Sequence, residues 1–194
     1  MLETILIDNG HCLRSAAEAM IRTIYKKTYD AELAAFPPRL MAHLGPDGQI
    51  CCIAGLRYDA DGFFSERYLD TPIEELLSEA AGRPVSRCDI FEVTTLASHS
   101  PRATIAFLAA IAARGEADGF LWSFFTLTRR LSALVHRLGV APLFLADADP
   151  SRIPDVARWG SYYTCSPKVY AAPSARIDQN RDVNRGIWRY ANAV

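Results

Sequence analysis

Hydrophobic and polar positions along the chain follow two periods, two residues for strands and between three and four for helices, and their order sets the predicted elements. Residues 3 to 8 alternate as a short strand. Ala17, Met20, Ile21, Ile24 and Tyr25 then recur at helical spacing behind Ser15 and Glu18, which have the spacing of a capping box, and predict a first helix over 15–28. After the Phe36-Pro37-Pro38 break, apolar stretches at 40–44 and 49–58 flank Gly45-Pro46-Asp47-Gly48, the residue types of a hairpin turn. Thr71, Pro72 and Glu74 offer an N-cap, a first-turn proline and a second capping box for a helix over 72–81, and Gly82-Arg83-Pro84 stops it. Strand and helix then alternate: strand 87–97, helix 101–114, strand 119–127, helix 129–138, strand 140–147. A short helix follows Asp149-Pro150, and a last strand lies near 168–171. Gly115, Gly119 and Gly139 sit where helix ends or tight re-entries need positive φ. From residue 173 the chain is polar, and Arg181, Arg185 and Arg189 recur every four residues, as on a charged helix face or a solvated tail. No internal repeat is present, so one α/β domain over 1–172 and a polar tail over 173–194 are expected.

Composition narrows the class. With 194 residues, 50% of them apolar, the chain is long enough for one well-buried core. A formal charge of −1 and a pI near 6.4 speak against a nucleic-acid binder, which needs a basic excess. The longest apolar run, 103–113, is too short for the roughly 20 residues of a membrane-spanning helix, and Glu3 and Asp8 occupy the place of a signal peptide's basic region. The five cysteines have neither metal-ligand nor C-x-x-C spacing, so neither a metal site nor a disulfide framework is expected, and a reducing cytoplasm fits. All but three of the 21 Lys and Arg residues are Arg, the side chain suited to fixed, planar anion recognition.

Several stretches resemble the thermostable hemolysin family: 29–40, Gly55-Leu-Arg57, Ser65-Glu-Arg-Tyr-Leu-Asp70, Phe91-Glu-Val-Thr-Thr-Leu-Ala97, Arg137-Leu-Gly139, Ala148-Asp-Pro150 and Trp159-Gly-Ser-Tyr-Tyr163. That family is similar to the GNAT acyltransferases and the acyl-homoserine-lactone synthases, whose element order this chain shares. The resemblance implies an α/β (α+β) GNAT-like acyl-CoA N-acyltransferase fold, with a central mixed, mostly antiparallel sheet flanked by helices. It implies an acyltransferase that takes its acyl group from acyl-CoA or from the phosphopantetheine of an acyl carrier protein, with no tightly bound cofactor. The acceptor it implies is a small amine or hydroxyl compound, in specialised metabolite biosynthesis. Glu92 takes the place of the strand carboxylate that accepts the acceptor's proton, directly or through water. Arg57 takes the place of an arginine that orients substrate, or else pairs structurally with Glu92 or Glu66. Leu96, Ala97, Ser98, Ser100, Arg102 and Ala103 would line the donor arm; Glu66, Thr94, Thr95 and Tyr162 would face the acceptor. Arg129 and Arg130 would meet an acidic carrier protein or form a solvated face.

Two departures from the family pattern weigh on that expectation. The loop Ser98-His-Ser-Pro-Arg-Ala103 lacks the glycines that let backbone amides approach a pyrophosphate, with Arg102 standing for a glycine and Ile105 for an arginine. The tyrosine that protonates the leaving thiolate in many relatives is Val135 here, which leaves His136, Tyr162 and Tyr163 as substitutes. The alternatives are a catalytically silent binding module and the membrane-active hemolysin of the family name. A Ser/His hydrolase at Ser98 to Ser100 is disfavoured because no Gly-x-Ser-x-Gly turn exists.

Overall fold

The structure is a computed structural model that describes residues 3–175. Among the described residues the strands and α-helices are β1 (Glu3–Ile7), α1 (Arg14–Tyr29), β2 (Arg39–Leu44), β3 (Ile50–Arg57), α2 (Ile73–Ala81), β4 (Ile90–Ser98), α3 (Pro101–Ala117), β5 (Trp122–Leu127), α4 (Arg129–Arg137), β6 (Leu143–Asp147) and β7 (Lys168–Pro173). The strands form one sheet in the order β1-β2-β3-β4-β5-β7-β6. Every pairing is antiparallel except that of β4 with β5. This is the mixed, mostly antiparallel sheet expected from the resemblance. The arginines at 181, 185 and 189, and with them the polar tail, lie outside the described residues.

Strand alternation assigns the two faces. Ile53, Ile90 and Phe124 point to one face, where α1 and α2 pack with the 148–167 connection. Met41, Cys52, Leu56 and Phe91 point to the other, against Phe107 and Ile111 of α3, and Leu127 and Tyr170 meet Val135 of α4 on that same side. Both layers are apolar and closed, so the sheet is buried from both sides at its centre.

Local signals held where the chain had no better partner to offer. Gly48 takes φ +74 in the β2–β3 turn, and Ser100 caps α3 by accepting the Ala103 N–H at 3.2 Å with Pro101 in the first turn. Neither expected capping box forms. Glu18 is taken by Arg14 and Arg22 at 2.8 and 3.1 Å, and Glu74 by Arg87 at 2.6 Å, because a guanidinium outcompetes a backbone amide for a carboxylate. α2 therefore starts one residue late, at Ile73, with Pro72 in the cap position. Gly119 and Gly139 have the expected positive φ. Gly115 does not: it lies inside α3, where a Cβ would come within 2.5 Å of the Phe91 ring. Its role is close packing of helix on sheet.

Candidate functional site

β4 pairs with β3 out to Ser98, but with β5 only from Ile90↔Trp122 to Val93↔Phe125. Beyond that point β5 runs on beside β7 to Leu127↔Lys168, so β4 and β5 part and residues 94–98 border a gap. A bulge marks the opening. Ile53 faces Ala97 and Gly55 faces Thr94, so Thr95 and Leu96 stand opposite Ala54 alone. Thr95 has φ +48, a conformation costly for a β-branched residue. The bulge also suspends alternation, and Thr94 and Thr95 line the same cavity. Gly55 makes this feasible, since a Cβ there would lie 2.9 Å from Thr95 Oγ1 and 2.3 Å from Pro37 Cγ.

That cavity holds about 270 Å³ on the α1/α2 face, with Arg57, Thr94 and Thr95 as its floor and Leu33, Phe64 and Trp159 among its walls. Its walls come from distant segments. The Glu32 N–H donates to Arg158 O at 2.6 Å, and the Ser161 N–H to Tyr29 O at 2.7 Å. Gly160 passes so close that a Cβ would sit 2.1 Å from Tyr29 O. Arg14, buried on α1, fixes the Pro37-Pro38 break by donating to both carbonyls at 2.7 and 3.0 Å.

Glu92 is 0% exposed. Its two carboxylate oxygens accept the N–H groups of Phe64 at 2.6 Å and Ser65 at 2.8 Å. Burial pushes its pKa up, while the Ser65 and Phe64 hydrogen bonds and the Arg57 charge pull it back. Ser65 also reaches Thr126 on β5 through hydroxyls 2.9 Å apart, so this turn braces the point where the strands part. Glu92 thus lies under the cavity wall rather than in the cavity, and touches it through Phe64.

Arg57 sits directly across from Glu92 in the β3–β4 register, yet among the described residues the two form no ion pair. Arg57 Nη1 donates to Asp61 O and Gly62 O at 3.2 and 3.3 Å, and its buried Nε has no partner among the described residues. The hydroxyl of Thr95 is likewise buried without one. Leaving such a group unmet costs about 1–3 kcal/mol. The pairing considered between Arg57 and Glu66 is absent as well. Glu66 belongs to Arg87, which it meets at 2.6 and 3.0 Å, and it also accepts the Ile73 N–H. Arg87 holds the Glu66 pKa below its ordinary value, and Glu66 is not among the cavity-lining residues.

Tyr162 is buried among Tyr25, Tyr29 and Trp159, and burial raises its pKa well above the ordinary tyrosine value. It backs the wall; Trp159, three residues earlier in the same motif, is the ring that reaches the cavity. On the donor side, Ala97 is buried against the α1 layer, while Leu96 and Ala103 pack on the α3 layer. The Ser98 hydroxyl accepts from Ser100 N–H at 3.3 Å and lies 3.1 Å from Cys52 Sγ. Pro101 brings no N–H, and Ser100 has already taken that of Ala103, so the start of α3 is capped from within and Arg102 is exposed beside it. His136 lines a separate groove of about 550 Å³ on the α4 face, with Arg129 and Lys168, and Val135 is buried in the core.

Sequence reasoning missed Arg14, Arg87 and Thr126, whose partners lie 23, 21 and 61 residues away. No local signal carried them.

The thermostable hemolysin family matches residues 7–176. The chain belongs to that family. Among solved structures, this family member is similar to FeeM, an N-acyl amino acid synthase from uncultured soil microbes, with a TM-score of 0.62 and 11% identity over 92% of this chain and 93% of that one. It is similar to the acyl-homoserine-lactone synthase LasI, with a TM-score of 0.56 and 11% identity over 97% and 98% of the two chains. A probable acetyltransferase from Staphylococcus epidermidis ATCC 12228 gives a TM-score of 0.54 and 8% identity over 90% and 99%. No curated protein matches the sequence. These likenesses show that the thermostable hemolysin chain has an acyltransferase fold of the GNAT-like kind. No helix among its described residues is long and apolar enough to cross a membrane.

Proposed function

We propose that the protein moves an acyl group from a pantetheine thioester, carried by CoA or by an acyl carrier protein, to a small amine or hydroxyl acceptor. One observation carries this reading: the parting of β4 from β5 after Val93 and Phe125, with the Thr95 bulge and the Arg57 cavity opening beside it. Residues 94–98 leave strand-edge backbone groups free on the β5 side, where an extended donor arm finds hydrogen bonds of the kind a lost strand would have made. The cavity stands at the end of that edge, where the acceptor belongs. With an amine, its nitrogen attacks the thioester carbonyl carbon, a C–N bond forms, the C–S bond breaks, and the proton lost by nitrogen ends on the departing sulfur.

Glu92 supports this chemistry from one layer back. Each of its oxygens accepts one backbone N–H, so it fixes Phe64 and Ser65, the turn that separates it from the cavity. The exposed pair Arg129 and Arg130, at the start of α4, is the surface on which we place an acyl carrier protein, because two cations at a helix N-terminus are unfavourable unless an anion meets them.

Release of thiol from octanoyl-CoA and from octanoyl carrier protein, followed with a thiol reagent against a panel of amines and alcohols, tests the reaction. Acceptor-dependent thiol release is the expected result; its absence across donors and acceptors sinks the reading. The internally capped start of α3 favours a second reading, a binding module without turnover. It predicts no thiol release and no acyl-CoA or carrier-protein adduct in native mass spectrometry. Leakage from liposomes on adding the protein is the outcome that would instead support membrane activity.

A further inference from the structure

β3 carries two adjacent cysteines, Cys51 and Cys52, which strict alternation would set on opposite faces of the sheet. A bulge prevents this. His43 pairs with Cys52 and Leu44 with Ile50, so Cys51 is the extra residue on β3, and both cysteines pack in the layer of Phe107 and Ile111 from α3. Ile50 and Ile53, on either side of them, pack in the α1 layer. The two thiols are thus neighbours in sequence and share one side of the sheet.

Their surroundings give them different reactivity. Cys51 is partly buried and its thiol donates to His43 O at 3.2 Å, whereas Cys52 is 0% exposed and burial pushes its pKa up to about 11. An oxidant therefore meets Cys51 first, with Cys52 beside it as a thiol. His43 stands directly across from Cys52 in the register, a position where Cβ atoms are about 4.5–5.5 Å apart, and its ring lies 4.8 Å from that of Phe107. It is 4% exposed, and its Nδ1 has no partner among the described residues. Burial lowers its pKa, which leaves a neutral imidazole able to take a proton.

We propose that Cys51 and Cys52 are a redox-active vicinal dithiol, a modification site whose oxidant is hydrogen peroxide and whose product is the Cys51–Cys52 disulfide. Cys51 loses its proton to water and the thiolate attacks one peroxide oxygen; the S–O bond forms, the O–O bond breaks, and the hydroxide released takes up a proton. Cys52 then gives its proton to His43 while its sulfur attacks that of Cys51. The S–S bond forms, the S–O bond breaks, and the departing hydroxide leaves as water with the proton that His43 took. Two thiols have lost two electrons and one peroxide has gained them. Consecutive Cα atoms are about 3.8 Å apart, less than the roughly 4.4–6.8 Å that disulfides span, so the ring is strained and easily reduced, as in a reversible switch.

Ring closure reaches the start of α3. Cys51 O accepts the His99 N–H at 3.2 Å, and Cys52 Sγ lies 3.1 Å from the Ser98 hydroxyl, which binds both the N–H and the carbonyl of the cap residue Ser100. Only the consequence for thioester use rests on the acyl-transfer reading above; the oxidation site does not.

Mass mapping of the full chain tests it. The reduced protein is treated with hydrogen peroxide, unfolded in N-ethylmaleimide and cut with trypsin, which leaves Cys51 and Cys52 together in residues 40–57, apart from the other cysteines. The expected peptide carries no maleimide and is lighter by two hydrogens, and dithiothreitol restores both thiols. Two maleimides after a dose that oxidises the exposed Cys12 and Cys88, sulfinic acid at Cys51 with Cys52 still alkylated, or a bridge from either to a third cysteine overturns the proposal. Oxidation should also speed amide exchange at His99 and Ser100 by about tenfold, reversed on reduction, and unchanged exchange overturns the link to α3. Thiol release separates the two ideas: a disulfide seen by mass in a chain that releases thiol from no donor removes acyl transfer only, and acyl transfer by a chain whose residues 40–57 still take two maleimides removes the dithiol only.

Discussion

At the residue scale, the side chain that best matches an acyltransferase base is also the one most completely enclosed. Glu92 accepts two backbone N–H groups and reaches the cavity through the turn it holds. Glu92→Gln distinguishes the two roles, because the amide's NH2 end cannot accept the hydrogen bond that one of those donors makes. The expected loss is about 1–3 kcal/mol, read as a lower urea midpoint at unchanged slope. If Glu92 were only a base, activity would fall with the midpoint intact. The pH dependence has a definite sign. Burial raises the Glu92 pKa above its ordinary 4.5, so between that value and the folded-state pKa the native chain holds more protons than the unfolded one. Its contribution is therefore favourable at low pH and declines as pH rises through the folded pKa. Glu66, lowered by Arg87, acts in the opposite sense, with stability that is lost as pH falls through its folded pKa. Subtracting the Glu92→Gln stability curve from that of the wild type should isolate the declining component. A difference curve flat above pH 4.5 would contradict the raised pKa.

At the element scale, the segments that form the site are fixed by groups outside it. α1 controls the cavity wall through Arg14, which is 9% exposed and binds Glu18 together with the carbonyls of Pro37 and Pro38. Arg14→Met keeps the packing of the stem but strands both carbonyls. It should cost about 2–4 kcal/mol and increase amide exchange in the 31–38 connection, and unchanged exchange there would show that the wall stands without it. α3 gives the reverse test of propensity against packing. Alanine is favoured over glycine in a helix by about 1 kcal/mol, but at Gly115 its Cβ would meet Phe91 at 2.5 Å. Overpacking of this kind costs about 1–3 kcal/mol, so Gly115→Ala should be neutral to destabilising where propensity alone predicts a gain. A higher thermal midpoint would mean that the Phe91 ring gives way. Gly115 also shows the limit of reading glycine from sequence: a helix stop and a close helix–sheet approach call for the same residue.

At the scale of the whole molecule, the cavity exists because the end of α1 and the β6–β7 connection, 132 residues apart, touch across the face of the sheet. Gly160 is the point of closest approach, with φ +52 and no room for a Cβ beside Tyr29 O. Gly160→Ala should lower stability by about 1–3 kcal/mol and loosen the cavity, seen as faster amide exchange at both Glu32 and Ser161; protection retained at these two amides would disprove the clasp. Element order, the β2–β3 turn, the Ser100 cap and the family were legible in the chain, because each depends on neighbours a few residues apart or on motifs in sequence. Glu92 and Arg57 were legible as candidates through the motifs that resemble the family, and strand alternation added only the face each side chain takes. Their partners were not. Glu92 binds amides 28 and 27 residues away, Glu66 goes to Arg87 and Arg57 forms no ion pair among the described residues, and Thr95 joins Thr94 in the cavity only because a bulge breaks the alternation. Local periodicity thus determined the strands, helices and their faces. The choice of partner for each buried charge and donor was made by tertiary packing, since an unpaired group in the interior is costly enough to be settled by whichever distant segment arrives beside it.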